Sequence, residues 1–234
     1  EIGVDLYKLP LEEKKAILCS CIYGIDIDIH AVEVAKFSLL IKLIDDETAP
    51  SVAEVTPILP DLTPNIHFGN SLVSQIELSE MSVTSEQLME IIPFDWTEIN
   101  GGNRFDIIIG NPPYVNTEGM HSLLPSTEVE IYKKKYKTSH KQFDKYFIFI
   151  EQAINKIKDD GYVCYIVPNK FFKIGAGEKL RNLIAKDHLL VSIDDFGDAQ
   201  LFADKTIYSS IVLLSKEMQS TFVYSNIDSA NKLW

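Results

Sequence analysis

The chain has 234 residues, 46% of them apolar, enough for one α/β domain with a full core. No apolar run approaches the roughly 20 residues of a membrane helix. The start, Glu1 to Asp5, is neither basic nor apolar enough for a secretory signal, so a cytoplasmic location is expected. The net charge of −12 argues against a free-standing DNA binder, because phosphate contacts dominate such affinity. Cys19, Cys21 and Cys164 lack zinc spacing and are expected as buried, reduced thiols. The five histidines form no ligand cluster, and no metal is assigned.

In chain order, Leu11 to Ser20 reads as a helix and Cys21 to Ile25 as a short strand. Ile29 to Ile44 carries apolar residues at helical spacing, with Asp28 placed to cap it. A strand that ends in a carboxylate before a helix suits an acid gripping ribose hydroxyls. By spacing alone, an N-cap beside a solvated acid explains it equally well. Asp45 to Asn65 is a proline-rich loop. Ile66 to Phe68 is a short strand running into Gly69-Asn70-Ser71, which taken alone is a turn. Gln75 to Arg104 reads as a surface insertion with a helix near Ser85 to Ile92.

Phe105 to Gly110 is an apolar run bounded by turn residues, the pattern of a buried parallel strand. Asn111-Pro112-Pro113-Tyr114 must then leave the sheet. The prolines lack a ladder N–H and fix their own φ, and Pro112 pushes Asn111 out of the helical region. Asn111 therefore stands at the carboxyl end of a strand, where open α/β sheets bind ligands. An amine conjugated to an aromatic ring is a poor nucleophile because its lone pair is delocalised. The Asn111 side-chain oxygen and the Pro112 carbonyl are two acceptors suited to grip its N–H bonds and localise that pair. Tyr114 offers a face for a planar base. The competing reading is a proline-rich turn with a surface tyrosine.

Val115 to Ser139 reads as a long polar loop. Its basic stretch through Lys133, Lys134 and Lys135 suits either a solvated face or a phosphate contact. Phe143 to Ile157 is an amphipathic helix, Tyr162 to Val167 a strand and Glu178 to Lys186 a helix. Leu189 to Ile193 and Thr206 to Leu214 are further strands. Gly175 and Gly177 read as hinge glycines.

The Asn-Pro-Pro-Tyr run resembles the catalytic motif of the amino-methyltransferases that use S-adenosylmethionine (SAM), above all the N6-adenine DNA methyltransferases. Tyr23-Gly24-Ile25-Asp26-Ile27-Asp28 resembles their second SAM motif. The resemblance implies that Asp26 binds the ribose, Ile27 packs on the adenine of SAM, and Asn70 bonds the adenine amine. It also implies that Phe202 stacks on the target base opposite Tyr114, with Lys205 a nearby basic contact. The competing reading of Phe202 is a core aromatic under a loop. The resemblance extends from Tyr23 to Lys216, in the motif order of the gamma class. Val167-Pro168-Asn169-Lys170-Phe171 and Gly177-Glu178-Lys179-Leu180-Arg181 look most like the type IIG restriction-modification enzymes within it.

The resemblance implies a Rossmann-like class I α/β fold, mostly parallel with an antiparallel last strand. It implies transfer of a methyl group from SAM to N6 of a flipped adenine in double-stranded DNA (EC 2.1.1.72). Two parts of the family pattern are not matched: the first, Gly-rich SAM motif and a target-recognition domain. A partial catalytic domain over 1–234, incomplete at the N-terminus, is therefore expected. Three alternatives stay open. Release-factor glutamine methyltransferases share the four residues. N4-cytosine enzymes share the chemistry, with Ser usual in place of Asn111. A non-catalytic fragment is the third.

Overall fold

The computed structural model describes residues 8–45, 47–53, 55–81, 83–200 and 208–227. The chain divides into two compact units, one of residues 1–80 and 92–103, the other of residues 81–91 and 104–234.

The first unit runs α1 (Leu11–Cys21), β1 (Gly24–Asp26), α2 (Ile29–Ile44), α3 (Ala49–Ala53), β2 (Ile66–Phe68) and α4 (Gln75–Ser79). β1 and β2 pair in parallel, Asp26 opposite Phe68. The last carbonyls of a helix have no partner of their own. At α1 the buried Asn65 supplies one, its amide donating to the carbonyls of Cys19 and Ile22 at 2.9 Å each. Asp28 caps α2, accepting from the His30 N–H at 2.9 Å. Leu11, Leu18, Val32, Leu43, Val55, Leu62 and Ile66 form one core cluster. The segment expected as a surface insertion is not superficial: Phe94 and Ile99 are buried, and Trp96 Nε1 donates to the Ser71 carbonyl at 3.1 Å. Apolar side chains near the end of such a stretch are core contacts that spacing alone does not reveal.

The second unit runs α5 (Ser85–Ile91), β3 (Phe105–Gly110), α6 (Thr117–Leu123), α7 (Ser126–Lys135), α8 (Lys145–Lys156), β4 (Ile157–Pro168), α9 (Glu178–Lys186), β5 (Leu190–Gln200), β6 (Tyr208–Ser215) and β7 (Val223–Asn226). The sheet order is β3-β4-β6-β5-β7. β6 alone is antiparallel to its neighbours, so β3, β4, β5 and β7 all end on one side. The antiparallel β6 is followed by the short β7, which pairs in parallel with β5. At Gly161 the two strands β3 and β4 approach closely: a Cβ there would lie 2.9 Å from the Phe105 carbonyl oxygen.

Three further expectations are corrected. β3 is parallel as expected but not buried. Among the described residues it pairs with β4 only, and Ile107 and Ile109 are 63% and 75% exposed. The stretch 115–139 is not a loop but carries α6 and α7, capped at Asn116, whose side chain accepts from the Gly119 N–H at 2.8 Å. Buried residues at helical spacing, Thr127, Glu128, Ile131 and Tyr132, hold α7 in place, a pattern masked in the sequence by its lysines. Cys21 is exposed and Cys19 and Cys164 half-buried, all as free thiols.

The segment from Lys137 to Asp144 is tied down by the buried Glu151 of α8. Its carboxylate accepts from the main-chain N–H groups of Lys137 at 3.0 Å and Thr138 at 2.8 Å. Beside it lies a buried pair, Lys145 and Glu128, with Lys145 Nζ 3.7 Å from Glu128 Oε1 and over the Tyr132 ring. Burial lowers the Lys145 ammonium from its ordinary range, and Glu128 opposes that shift.

Candidate active site

Chemistry in the second unit gathers at the shared carboxyl end of the parallel strands. β3 ends at Gly110, and Asn111 leaves it exposed, while Pro112 is buried and Pro113 exposed. The turn thus has one proline anchored in protein and one facing out, which holds Asn111 at the surface of the sheet end. Tyr114 is half-buried. Its ring meets that of Tyr146 edge-on, centroids 6.2 Å apart. Its hydroxyl has two acceptors in reach, the Asn111 side-chain oxygen and the Ile166 main-chain oxygen, the latter at 2.9 Å. Burial pushes the Tyr114 phenol up to about 12, so it keeps its proton through the neutral range. The acceptors expected at Asn111 and Pro112 and the ring at Tyr114 therefore share one short rigid segment.

The wall behind this turn comes from residues with no site role assigned from sequence. Tyr146 packs on Phe147 and Phe171, at 4.7 and 6.2 Å between centroids, and burial drives its phenol well above the ordinary tyrosine range. Asp144 is buried, pairs across an isolated bridge with Asn116, and holds Lys170 Nζ at 3.0 Å. The Lys145 N–H donates to the Val115 carbonyl at 2.7 Å. These links clamp the chain leaving Tyr114. At the end of β4, Asn169 Nδ2 donates to Asp195 Oδ1 at 2.8 Å, and Tyr224 donates to Asp195 Oδ2 at 2.8 Å. The available signal was polarity directly after an apolar strand, as in Pro168-Asn169-Lys170. The partners, 26 residues away in each case, were not visible.

Lys133, Lys134 and Lys135 occupy the last turn of α7, where positive charge complements the helix C-terminus. Lys133 and Lys134 are exposed. Lys135 lies over the Tyr136 ring at 5.3 Å. Phe202 and Lys205 lie outside the described residues.

In the first unit, Asp26, Ile27 and Asn70 meet at the carboxyl end of the β1–β2 pair. The Gly69 N–H donates to the Asp26 carbonyl at 2.8 Å. The Asp26 carboxylate is exposed and accepts from the Asp28 N–H at 2.8 Å, and Ile27 is exposed beside it. Asn70 is buried, its side-chain oxygen accepting from the Leu72 N–H at 3.1 Å. Among the described residues no three His, Cys, Asp or Glu side chains are grouped as a metal site, and no helix is long and apolar enough to cross a membrane.

A family model, the Eco57I restriction-modification methylase, matches residues 20–202. The Escherichia coli type II restriction enzyme and methyltransferase RM.Eco57I is 44% identical over 232 residues, 99% of this chain and 22% of that protein. The type II methyltransferase M.PaeR7I of Pseudomonas aeruginosa is 31% identical over 115 residues, 49% of this chain and 19% of that protein. The chain thus spans about a fifth of the length of these relatives. Among solved structures, the DrdV–DNA complex superposes with a TM-score of 0.64 at 15% identity, over 96% of this chain and 23% of that one. A class I SAM-dependent methyltransferase from Listeria monocytogenes gives 0.51 at 17% identity, over 94% and 62%. The fold is that of the class I SAM-dependent methyltransferases, and the chain belongs to the Eco57I restriction-modification methylase family.

Proposed function

We propose that this chain carries the methyl-transfer site of a restriction-modification enzyme, one that methylates N6 of an adenine in double-stranded DNA (EC 2.1.1.72), in the cytoplasm. The observation that carries the reading is the Asn111–Tyr114 turn: two acceptors and an aromatic ring on a proline-stiffened exit from β3, in a chain of a restriction methylase family. That family speaks against the release-factor glutamine alternative.

The duplex hides a base amine within the stack, so the target base must be extruded. Tyr114, with Phe202 opposite, would stack on it. Asn111 and Pro112 accept from the two N6 hydrogens and concentrate the nitrogen lone pair for in-line attack, with little reorganisation. Pro113 adds stiffness to the turn. No strong general base is required. Lys133, Lys134, Lys135 and Lys205 are proposed as phosphate contacts.

SAM, when bound, supplies the electrophilic methyl group. An exposed carboxylate with an exposed aliphatic neighbour suits a ribose diol and a purine face, so Asp26 and Ile27 fit the cofactor. Asn70, whose side-chain oxygen accepts from the Leu72 N–H, is proposed to bond the adenine amine of SAM.

The test uses the protein expressed from its complete gene, incubated with tritiated SAM and either duplex DNA or release factor. Label should appear in DNA as N6-methyladenine. Asn111→Ala should lower transfer by at least about a hundredfold, the scale of losing one transition-state hydrogen-bonding group, while leaving SAM affinity nearly intact. Label in release factor, or equal loss of transfer and SAM binding, refutes the assignment.

A further inference from the structure

The chain carries a net charge of −12, so a local excess of cations stands out. Between residues 169 and 181 lie Lys170, Lys173, Lys179 and Arg181 against one acid, Glu178. Arg181 is spent inside the protein: its Nη1 donates to the Phe171 and Ile174 carbonyls at 2.6 and 2.8 Å. A Cβ on Gly177 would meet the Phe171 carbonyl oxygen at 2.4 Å, so the main chain packs tightly there. The connection from β4 to α9 is thereby pinned to the first turns of α9.

This pinned connection opens with two exposed lysines. The Lys173 N–H donates to the Lys170 carbonyl at 3.1 Å, so both cations spring from a single turn directly after β4. The turn stands at the carboxyl end of β4, the side on which the parallel β3 releases Asn111. Two links bring it to the catalytic turn. The Tyr114 hydroxyl reaches the main chain at Ile166, four residues before Lys170. Lys170 Nζ lies 3.0 Å from Asp144 Oδ1, and Asp144 bridges Asn116, two residues past Tyr114.

That ion pair is lopsided, with the Asp144 side chain 5% exposed and the Lys170 side chain 48%. The buried carboxylate fixes where the ammonium stands but accepts only one of its three N–H bonds, leaving donors for a second anion. Lysine binds phosphate as a point charge. Extrusion turns a nucleotide about its own backbone, so the phosphates beside it must be held while the base swings.

We propose that Lys170 and Lys173 hold the backbone phosphates flanking the extruded nucleotide, with Asp144 as the buried anchor that places Lys170. The contact rests on the function proposed above. It adds a second cationic element, on a separate connection of the sheet, to the lysines at the end of α7.

The test uses the protein expressed from its complete gene and a duplex carrying the site it methylates. Phosphates around the target adenine are replaced one at a time by uncharged methylphosphonate. Wild type should lose affinity about fivefold to tenfold at one or two flanking positions, between the scale of an exposed ion pair and that of a charge-assisted bond. Lys170→Gln should bind the unmodified duplex more weakly by a similar factor and respond no further to methylphosphonate at one of those positions. Full wild-type sensitivity in the variant overturns the contact, because a lysine that only steadies Asp144 does not change which phosphate matters. Lys173→Gln breaks no buried ion pair and answers the question should Lys170→Gln misfold. Its log affinity against log salt should flatten by about 0.9, the value of one phosphate contact, and an unaltered slope overturns the contact. Wild-type protein that transfers no methyl to DNA refutes the proposed function. Wild-type protein that methylates DNA yet tolerates every methylphosphonate refutes this contact alone.

Discussion

Asp195→Ala tests how β5 is held to its neighbours. The Asp195 carboxylate ties β5 to β7 and to the turn after β4: Oδ1 accepts from Asn169 Nδ2 at 2.8 Å and from the Gly197 N–H at 3.0 Å, and Oδ2 accepts from the Tyr224 hydroxyl at 2.8 Å. Gly197 has a positive φ of 57° inside the irregular part of β5, so the strand there is shaped by this carboxylate as well as by glycine. Charge-assisted bonds are the stronger kind. Asp195 is only half-buried, so water recovers part of each when it is lost. Removing all three should cost about 2 kcal/mol of local stability. That is roughly a thirtyfold loss of amide protection at 1.36 kcal/mol per decade. Hydrogen exchange read by mass spectrometry on peptides covering residues 190–197 and 221–227 measures it locally, whatever the stability of the rest. The pH dependence has a defined sign. Burial, the largest single influence on Asp195, pushes its carboxyl up, but the three hydrogen bonds and the Lys173 charge together hold it below the usual range. A depressed carboxyl stabilises above its unfolded value, near about 3.9, and the contribution disappears as pH falls through the folded value. The gap between wild type and variant, corrected for intrinsic exchange, should therefore close only as pH falls below the usual carboxylate range. Unchanged protection at neutral pH, or a gap that persists in acid, would refute the reasoning.

Two further outcomes are expected. Glu151→Ala strands the N–H groups of Lys137 and Thr138 beside α8; each unsatisfied donor costs about 1–3 kcal/mol when buried. Trypsin should then cut after Lys137 faster than in wild type, and equal cutting rates would show that the carboxylate does not hold this segment. Replacing Lys133, Lys134 and Lys135 with Gln should flatten the dependence of log affinity for duplex DNA on log salt by up to about 2.7, at 0.9 per phosphate contact. An unaltered slope would leave these lysines only their roles at the end of α7.

The parts of this protein that are local in sequence were legible from sequence. Ile29–Ile44, Phe105–Gly110 and Glu178–Lys186 have the bounds read from periodicity, because spacing alone tells a helix face or an apolar strand from its neighbours. The Asn-Pro-Pro-Tyr exit from a strand was equally plain, since proline constrains its own φ and the residue before it. What depended on partners far along the chain was not. The helices within 115–139 look polar because their buried faces are short, and only packing against α8 and its neighbours shows which side is inside. The exposure of Ile107 and Ile109 follows from sheet order, which no local pattern encodes. The same holds at the site. Sequence named Asn111 and Tyr114. Only the tertiary structure put the Tyr114 hydroxyl on Ile166, 52 residues away, and Asn169 on Asp195, 26 residues away. Hydrogen bonds between strand ends are set by how the strands are laid side by side, and that is decided by burial summed over the whole sheet.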